Sequence, residues 1–408
     1  MKKGKNMVGN GKTSLVVVGI IVVIAIVLVS AYFVMHKSHT TSTTTSSSTS
    51  SSTTTSNLID PTKLSVTIKA GGSTWINPQM QVWIRNFSSV YPGILVTYDS
   101  VGSGTGVSRL LQGVYLIGAS DVPMPTQLYQ NATNIYGKIV TIPDSVGAVA
   151  FIYNIPGFNG TLNLTANILA GIYAGKIQYW DDPNITALNK NFQFPHEKII
   201  AVHRSDGSGT TFTFTLWLTK SSEVWNSSGV GYGYTVNWPV DQLGTGLGGK
   251  GSEGVTAYVE QNQWSIGYVE LSYAIVNNLM VAAVQNPATG KFVKPSANSI
   301  ISALNSVDLS QLPSVLSNWY PYAGIFMNLN APNAYPIVGN SYLHAPAIYT
   351  NCNNAVAVYI FLKYILIQGQ NELIKGYVPL PSQLAQSLAN ELGNDITCNG
   401  QPVVSLIK

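Results

Sequence analysis

The stretch IIAVHRSDGSGTTFTF, residues 199–214, decides the fold. It opens as an apolar strand, turns through Arg204, Asp206, Ser208 and Gly209, and enters a helix near Thr211. Glycines let a backbone turn tightly and approach a ligand, and the neighbouring hydroxyls donate hydrogen bonds. A helix N-terminus adds free N–H groups and a dipole that favours an anion. Arg204 can pair bidentately with a phosphate or sulfate oxygen. Asp206 is placed to orient its guanidinium; the plainer alternative is a surface ion pair worth little.

Working outward, the same strand–turn–helix unit recurs twice. Leu64, Val66 and Ile68 alternate as a half-buried strand that ends in AGGSTW (70–75). A helix follows, with Asn77 as expected N-cap, Pro78 in its first turn, and Met80, Ile84, Phe87 and Tyr91 along one face. Ile94, Val96 and Tyr98 alternate in turn, then VGSGTG (101–106) leads into a helix whose buried face should carry Val107, Leu110, Leu111 and Val114. The alternation predicts an α/β architecture. A single Gly/Ser turn is usually a plain connector. Three of them, one carrying an arginine, point to an oxyanion site.

The chain has 408 residues, too many for one compact core and enough for two lobes. Residues 15–35 (LVVVGIIVVIAIVLVSAYFVM) carry no charge, and at about 1.5 Å per residue they match the roughly 30 Å hydrocarbon core. Lys2, Lys3, Lys5 and Lys12 precede this run, while only His36 and Lys37 follow closely. The expectation is a basic cytoplasmic tail (1–14), a single-pass transmembrane anchor in the cell membrane (15–35), and an extracytoplasmic remainder. The alternative is a cleaved signal peptide, whose apolar region is usually shorter, about 7–15 residues. Residues 36–59 read as a stalk, because 40–56 is an unbroken Ser/Thr run that cannot form a core. Asn-x-Ser/Thr triplets at Asn86, Asn131, Asn159, Asn163, Asn184 and Asn226 are compatible with glycosylation.

The formal charge of +4 comes from the N-terminal region. From Ser38 onward 16 basic residues face 17 acidic ones, which argues against nucleic-acid binding. Charged residues are 9% of the chain, against about 25% in typical soluble proteins, so neutral polar residues must supply most of the surface, as suits life in acid or high heat. Cys352 and Cys398 both lie in the part expected to be exported, where a disulfide is favoured over a metal pair.

Together these segments resemble the phosphate-binding protein of bacterial and archaeal ABC importers, over about Leu64 to Leu384. The resemblance runs through GASD (118–121), IPDSVGAVAFIYNIPG (142–157), LAGIYAGKIQYWDDPNITALN (169–189), HRSDGSGTTFTF (203–214), VNWPV (236–240), GGKGSEGV (248–255) and IGYVE (266–270). It implies a two-lobed, type II periplasmic-binding-protein fold with the ligand cleft at the hinge, preceded here by one transmembrane helix. Lobe 1 would comprise 60–147 and 339–408, and lobe 2 would comprise 148–338. After Lys291 the likeness loosens, and the return crossing is expected near Tyr335–Val338. Carried over by position, the phosphate-binding residues are Thr74, Trp75, Ser103, Asp121, Arg204, Asp206, Ser208, Gly209 and Thr210. Most relatives have Phe where Trp75 stands, a change that a backbone contact survives. The resemblance further implies inorganic phosphate as ligand, ABC permease subunits as partners, a monomeric ectodomain, and no catalysis, cofactor or metal. The rival readings are a receptor for sulfate or molybdate, a secreted phosphatase or other hydrolase, and a structural cell-surface protein.

GTGLGGKG (244–251) nearly spells a nucleotide P-loop, but Gly251 replaces the required Ser/Thr and no clear strand precedes it. His203 is expected to pack beside Arg204. Ser208 lacks the elbow and partners of a nucleophile. Trp180, Trp225 and Trp238 read as core, and Asp181–Asp182 before Pro183 as turn formers.

Overall fold

A computed structural model describes residues 58–408. The main sheet contains β1 (Val66–Gly72), β2 (Ile94–Ser100), β3 (Ile117–Ser120), β4 (Ile139–Asn154), β5 (Ile200–Arg204), β6 (Gly246–Gly249), β7 (Ser265–Glu270) and β8 (Val338–Pro346). Their spatial order is β2-β1-β3-β8-β4-β7-β5-β6. β2, β1 and β3 run parallel on one side, and β7, β5 and β6 run parallel on the other. The helices that bear on the site and the core are α1 (Asn77–Val90), α2 (Ser103–Leu111), α3 (Gly209–Ser221), α4 (Gly251–Gln261), α5 (Leu271–Val276), α6 (Cys352–Ile367) and α7 (Ser382–Asp395).

The two halves meet at β4. Its run IVTIPDSVGAVAFIY is buried throughout, as befits a strand covered on both faces. β4 pairs antiparallel with β8 from Ile139 to Ala148, then with β7 from Val149 to Asn154. One strand thus passes from one half to the other while β8 returns beside it. That is a two-lobed α/β fold with a double crossing at its hinge. The β4–β8 ladder slips between Ser341 and Tyr342, which face Ser145 and Pro143 and leave Asp144 as the extra residue of a bulge. Pro143, with no N–H to give, suits that irregularity.

Each half has an aromatic core. Phe87 of α1 meets Phe361 and Tyr364 of α6 edge-on, and Phe214 of α3 packs on Phe151, Tyr173 and Tyr268. Trp180, Trp225 and Trp238 are buried as expected. Asp182 caps the short helix Pro183–Thr186, and Asp181 pairs with His196. Cys352 and Cys398 are joined by a disulfide with Cα atoms 5.3 Å apart, tying the start of α6 to the short strand Thr397–Cys398.

Several expectations are corrected. The expected transmembrane helix before the fold, and with it the single-pass cell-membrane location, does not stand. No helix among the described residues is long and apolar enough to cross a membrane. Among the described residues the most apolar long helix, α6, has 16 residues and spans only about 24 Å, short of the roughly 30 Å required; it is buried all round as core packing. The expected tail, anchor and most of the stalk fall in residues 1–57, outside those described, whereas Ile59 already hydrogen-bonds Leu406. The N-cap of α1 is Ile76 rather than Asn77, and Trp83 joins its buried face. Val114 is exposed, because Gly113 takes a positive φ of 71° and ends the turn before it. GLGG (246–249), inside the GTGLGGKG segment, forms the edge strand β6 beside β5, a strand the sequence reading did not include.

Candidate functional site

The three Gly/Ser turns lie at the C-terminal ends of β1, β2 and β5, where ligands of open α/β sheets collect. α2 begins at Ser103 and α3 at Gly209, so both bring first-turn N–H groups without intrahelical acceptors to this place. The Ser208 side chain caps α3 by accepting from Thr211 N at 3.1 Å. The N–H groups of Gly209 and Thr210 remain for a ligand.

The turns touch across the cleft. Gly104 N donates to Gly207 O at 2.9 Å. A Cβ on Gly209 would stand 2.6 Å from both the Asp121 Cβ and the Ser103 Oγ, so only glycine permits this approach. Thr210 Oγ1 lies 3.3 Å from Asp121 Oδ2, and Ser103 Oγ accepts from Asp121 N at 3.2 Å. This is a closed arrangement, stitched further by Tyr273, whose hydroxyl donates to Thr74 O at 2.8 Å.

Arg204 is 4% exposed. Asp206 accepts from its Nε at 2.7 Å and its Nη2 at 2.5 Å, and Nη1 faces Thr210 and Ser252 hydroxyls at 3.5 and 3.4 Å. A guanidinium has five N–H bonds, so three are left after Asp206 takes two. Burial opposes its charge, but Asp206 outweighs that and holds the group above its ordinary range. For Asp206 burial acts upward, and the Arg204 guanidinium overcomes it to keep the carboxyl low. Asp121 differs: burial pushes it up to about 6 against hydrogen bonds from Ser73 and the Arg204 charge.

Ser103, Asp121, Arg204, Asp206, Gly209 and Thr210 therefore converge. Thr74 joins through Ser252, whose hydroxyl is 2.9 Å from its own. The Trp75 side chain does not join them. Its indole packs on Gly147, where a Cβ would come within 2.7 Å of the ring, and its backbone carbonyl accepts from the Tyr377 hydroxyl. His203 is buried, bonds Asp241 at 2.7 Å and stacks on Trp238, a packing role.

Residues 39–366 match the model of a PBP superfamily domain. The chain is 38% identical over 334 residues to the phosphate-binding protein PstS of Methanocaldococcus jannaschii, covering 79% of this chain and 84% of that one. It is 35% identical over 328 residues to the PstS of Xylella fastidiosa (strain Temecula1), with the same shares covered. The chain belongs to the PstS phosphate-binding-protein family. A solved phosphate-binding protein from Stenotrophomonas maltophilia shares the fold, with a TM-score of 0.59 at 18% identity over 84% of this chain and 98% of that one.

In this PstS-family chain three further residues, Ser73, Ser252 and Glu270, contact the converging groups. The Ser73 hydroxyl donates to Asp121 Oδ1. Ser252 bridges Thr74 and Arg204, and Glu270 accepts from Thr210 Oγ1 at 2.6 Å. All three sit in motifs visible in the sequence, AGGSTW, GGKGSEGV and IGYVE.

Proposed function

We propose that this protein binds inorganic phosphate in the cleft between its lobes and delivers it to the permease of an ABC phosphate importer, without itself catalysing a reaction. The family membership supports the ligand and the partner. The observation that carries the site is the meeting of Asp121 with Gly209 and Thr210 across the cleft, with Arg204 Nη1 on the same Thr210 hydroxyl. In this reading lobe 1 (60–147 and 339–408) supplies Thr74, the Trp75 backbone, Ser103 and Asp121. Lobe 2 (148–338) supplies Arg204, held by Asp206, together with Ser208, Gly209 and Thr210.

The chemistry fits. Helix N-termini and the free Arg204 N–H bonds neutralise anion charge, and hydroxyls turn to donate. Only the closed form joins both donor sets around one ion, so binding closes the cleft. Closure then presents a two-lobed face to the permease. Calorimetric titration with phosphate, sulfate and molybdate tests the reading. Phosphate should bind at least about 100-fold more tightly than sulfate, the scale of an unmatched hydrogen bond at a buried charge. Equal binding of the three anions would identify a general oxyanion receptor instead.

A further inference from the structure

Glu270 closes β7 opposite Val149, where β4 passes between the lobes, and is 1% exposed. Its Oε1 accepts the Thr210 hydroxyl at 2.6 Å, while its Oε2 has no hydrogen-bond partner. A hydroxyl has one proton. Given to Glu270, that proton is not available to an anion. The groups facing Glu270 are Asp121 from the turn after β3, Arg204 from β5, Thr210 from α3, Ser252 from α4, Tyr273 from α5 and Tyr377. Arg204 is the one cation among them, and Asp206 already occupies two of its N–H bonds. With every carboxyl ionised, Asp121, Asp206 and Glu270 would set three negative charges against one positive before any anion entered. Buried charges so unbalanced are costly, and one of them takes up a proton instead.

We propose that Glu270 is a positioning residue for the bound anion: as a neutral acid it donates to Thr210 Oγ1 and turns the Thr210 hydroxyl toward a phosphate oxygen, and as a carboxylate it withdraws that donor. The proposal rests on the phosphate reading above. Burial, with the Asp121 charge adding to it, pushes Glu270 up to about 7, which puts the switch near neutral pH. Asp121 reads the proton on the ligand, whereas Glu270 governs a donor from the protein.

The test is calorimetry of the full chain with inorganic phosphate at pH 5, 7 and 9, for wild type, Glu270→Gln and Thr210→Val. The ligand's own ionisation is common to all three, so it cancels in ratios of Kd. A glutamine amide can donate to Thr210 at every pH. The ratio of wild-type to Glu270→Gln Kd should therefore rise about tenfold from pH 5 to pH 9, the worth of one charge-assisted hydrogen bond. Thr210→Val removes the relay but keeps the carboxylate, so its Kd should vary less with pH than that of the wild type. This second comparison stands even if Glu270→Gln fails to fold. A ratio constant with pH reveals a purely structural glutamate and overturns the proposal, as does a wild-type pH profile in Thr210→Val. Failure of the wild type to bind phosphate at any pH overturns the functional reading itself, and this proposal with it.

Discussion

Asp206 holds Arg204 through two parallel contacts, Oδ1 to Nε at 2.7 Å and Oδ2 to Nη2 at 2.5 Å, and turns the Nη1 side toward the cleft. Arg204→Lys keeps the charge but loses the fork. Arg204→Ala should weaken phosphate binding by about 2–5 kcal/mol, the scale for stripping one partner from a buried charge pair, with Lys falling between Ala and wild type. Asp206→Ala should also weaken binding, because the guanidinium loses its orientation. Calorimetry on the three variants reads this directly, and a normally binding Arg204→Ala would remove Arg204 from the site.

Asp121 should decide between phosphate and sulfate. Both anions are tetrahedral, but phosphate keeps a P–O–H near neutral pH and sulfate has none. Ionised Asp121 only accepts hydrogen bonds, so it pairs with the phosphate hydroxyl and repels a sulfate oxygen. Asp121→Asn supplies a donor and should raise sulfate affinity relative to phosphate by roughly tenfold or more. Burial lifts the Asp121 carboxyl to about 6, so the wild type should also discriminate less as pH falls below that value. Competition titrations at pH 5 and 8 check both, and an unchanged ratio in Asp121→Asn would refute the proton-reading role.

The three turns were legible because their chemistry is local: a strand end, glycines, hydroxyls and a following helix all fall within a few residues. Glu270 and Ser252 gained no role from the sequence although their motifs stood out. Their meaning comes from partners 60 and 178 residues away, Thr210 and Thr74, and such approaches leave no local pattern. β6 was missed for the same reason. GLGG has little intrinsic strand preference and is a strand because β5 pairs with it. The N-cap of α1 shifted by one residue, the usual uncertainty of a helix end.

The disulfide closes a loop with a sequence separation of 46. Replacing Cys352 and Cys398 together by serine should lower stability by about 4 kcal/mol in the chain-entropy account. Urea unfolding of the double variant against the oxidised wild type measures it. A difference near zero would mean that the loop is already ordered in the unfolded chain.

Asp144 is the extra residue of the β4–β8 bulge. It is 0% exposed, accepts one hydrogen bond from Ser145 Oγ at 2.9 Å, and leaves Oδ2 without a partner. No salt bridge reaches it among the described residues. Burial lifts it from 3.8 to about 7, and the like charge of Asp121 adds to the rise. A carboxyl raised on folding contributes stability that is fully present below its unfolded value and is lost as pH rises through the folded one. The window thus runs from about pH 4 to about pH 7. His344 on β8, buried and pushed down to about 3, acts the other way, losing its contribution as pH falls from about 6.5. A wild-type stability curve alone mixes the two effects. Asp144→Asn separates them, since asparagine never ionises and His344 is untouched. The stability of wild type relative to Asp144→Asn should fall by at most about 4 kcal/mol between pH 4 and pH 7, then level off. Denaturant unfolding at pH 4, 5.5, 7 and 8 measures the gap, and a gap that stays constant would show that Asp144 does not hold a proton in the folded protein.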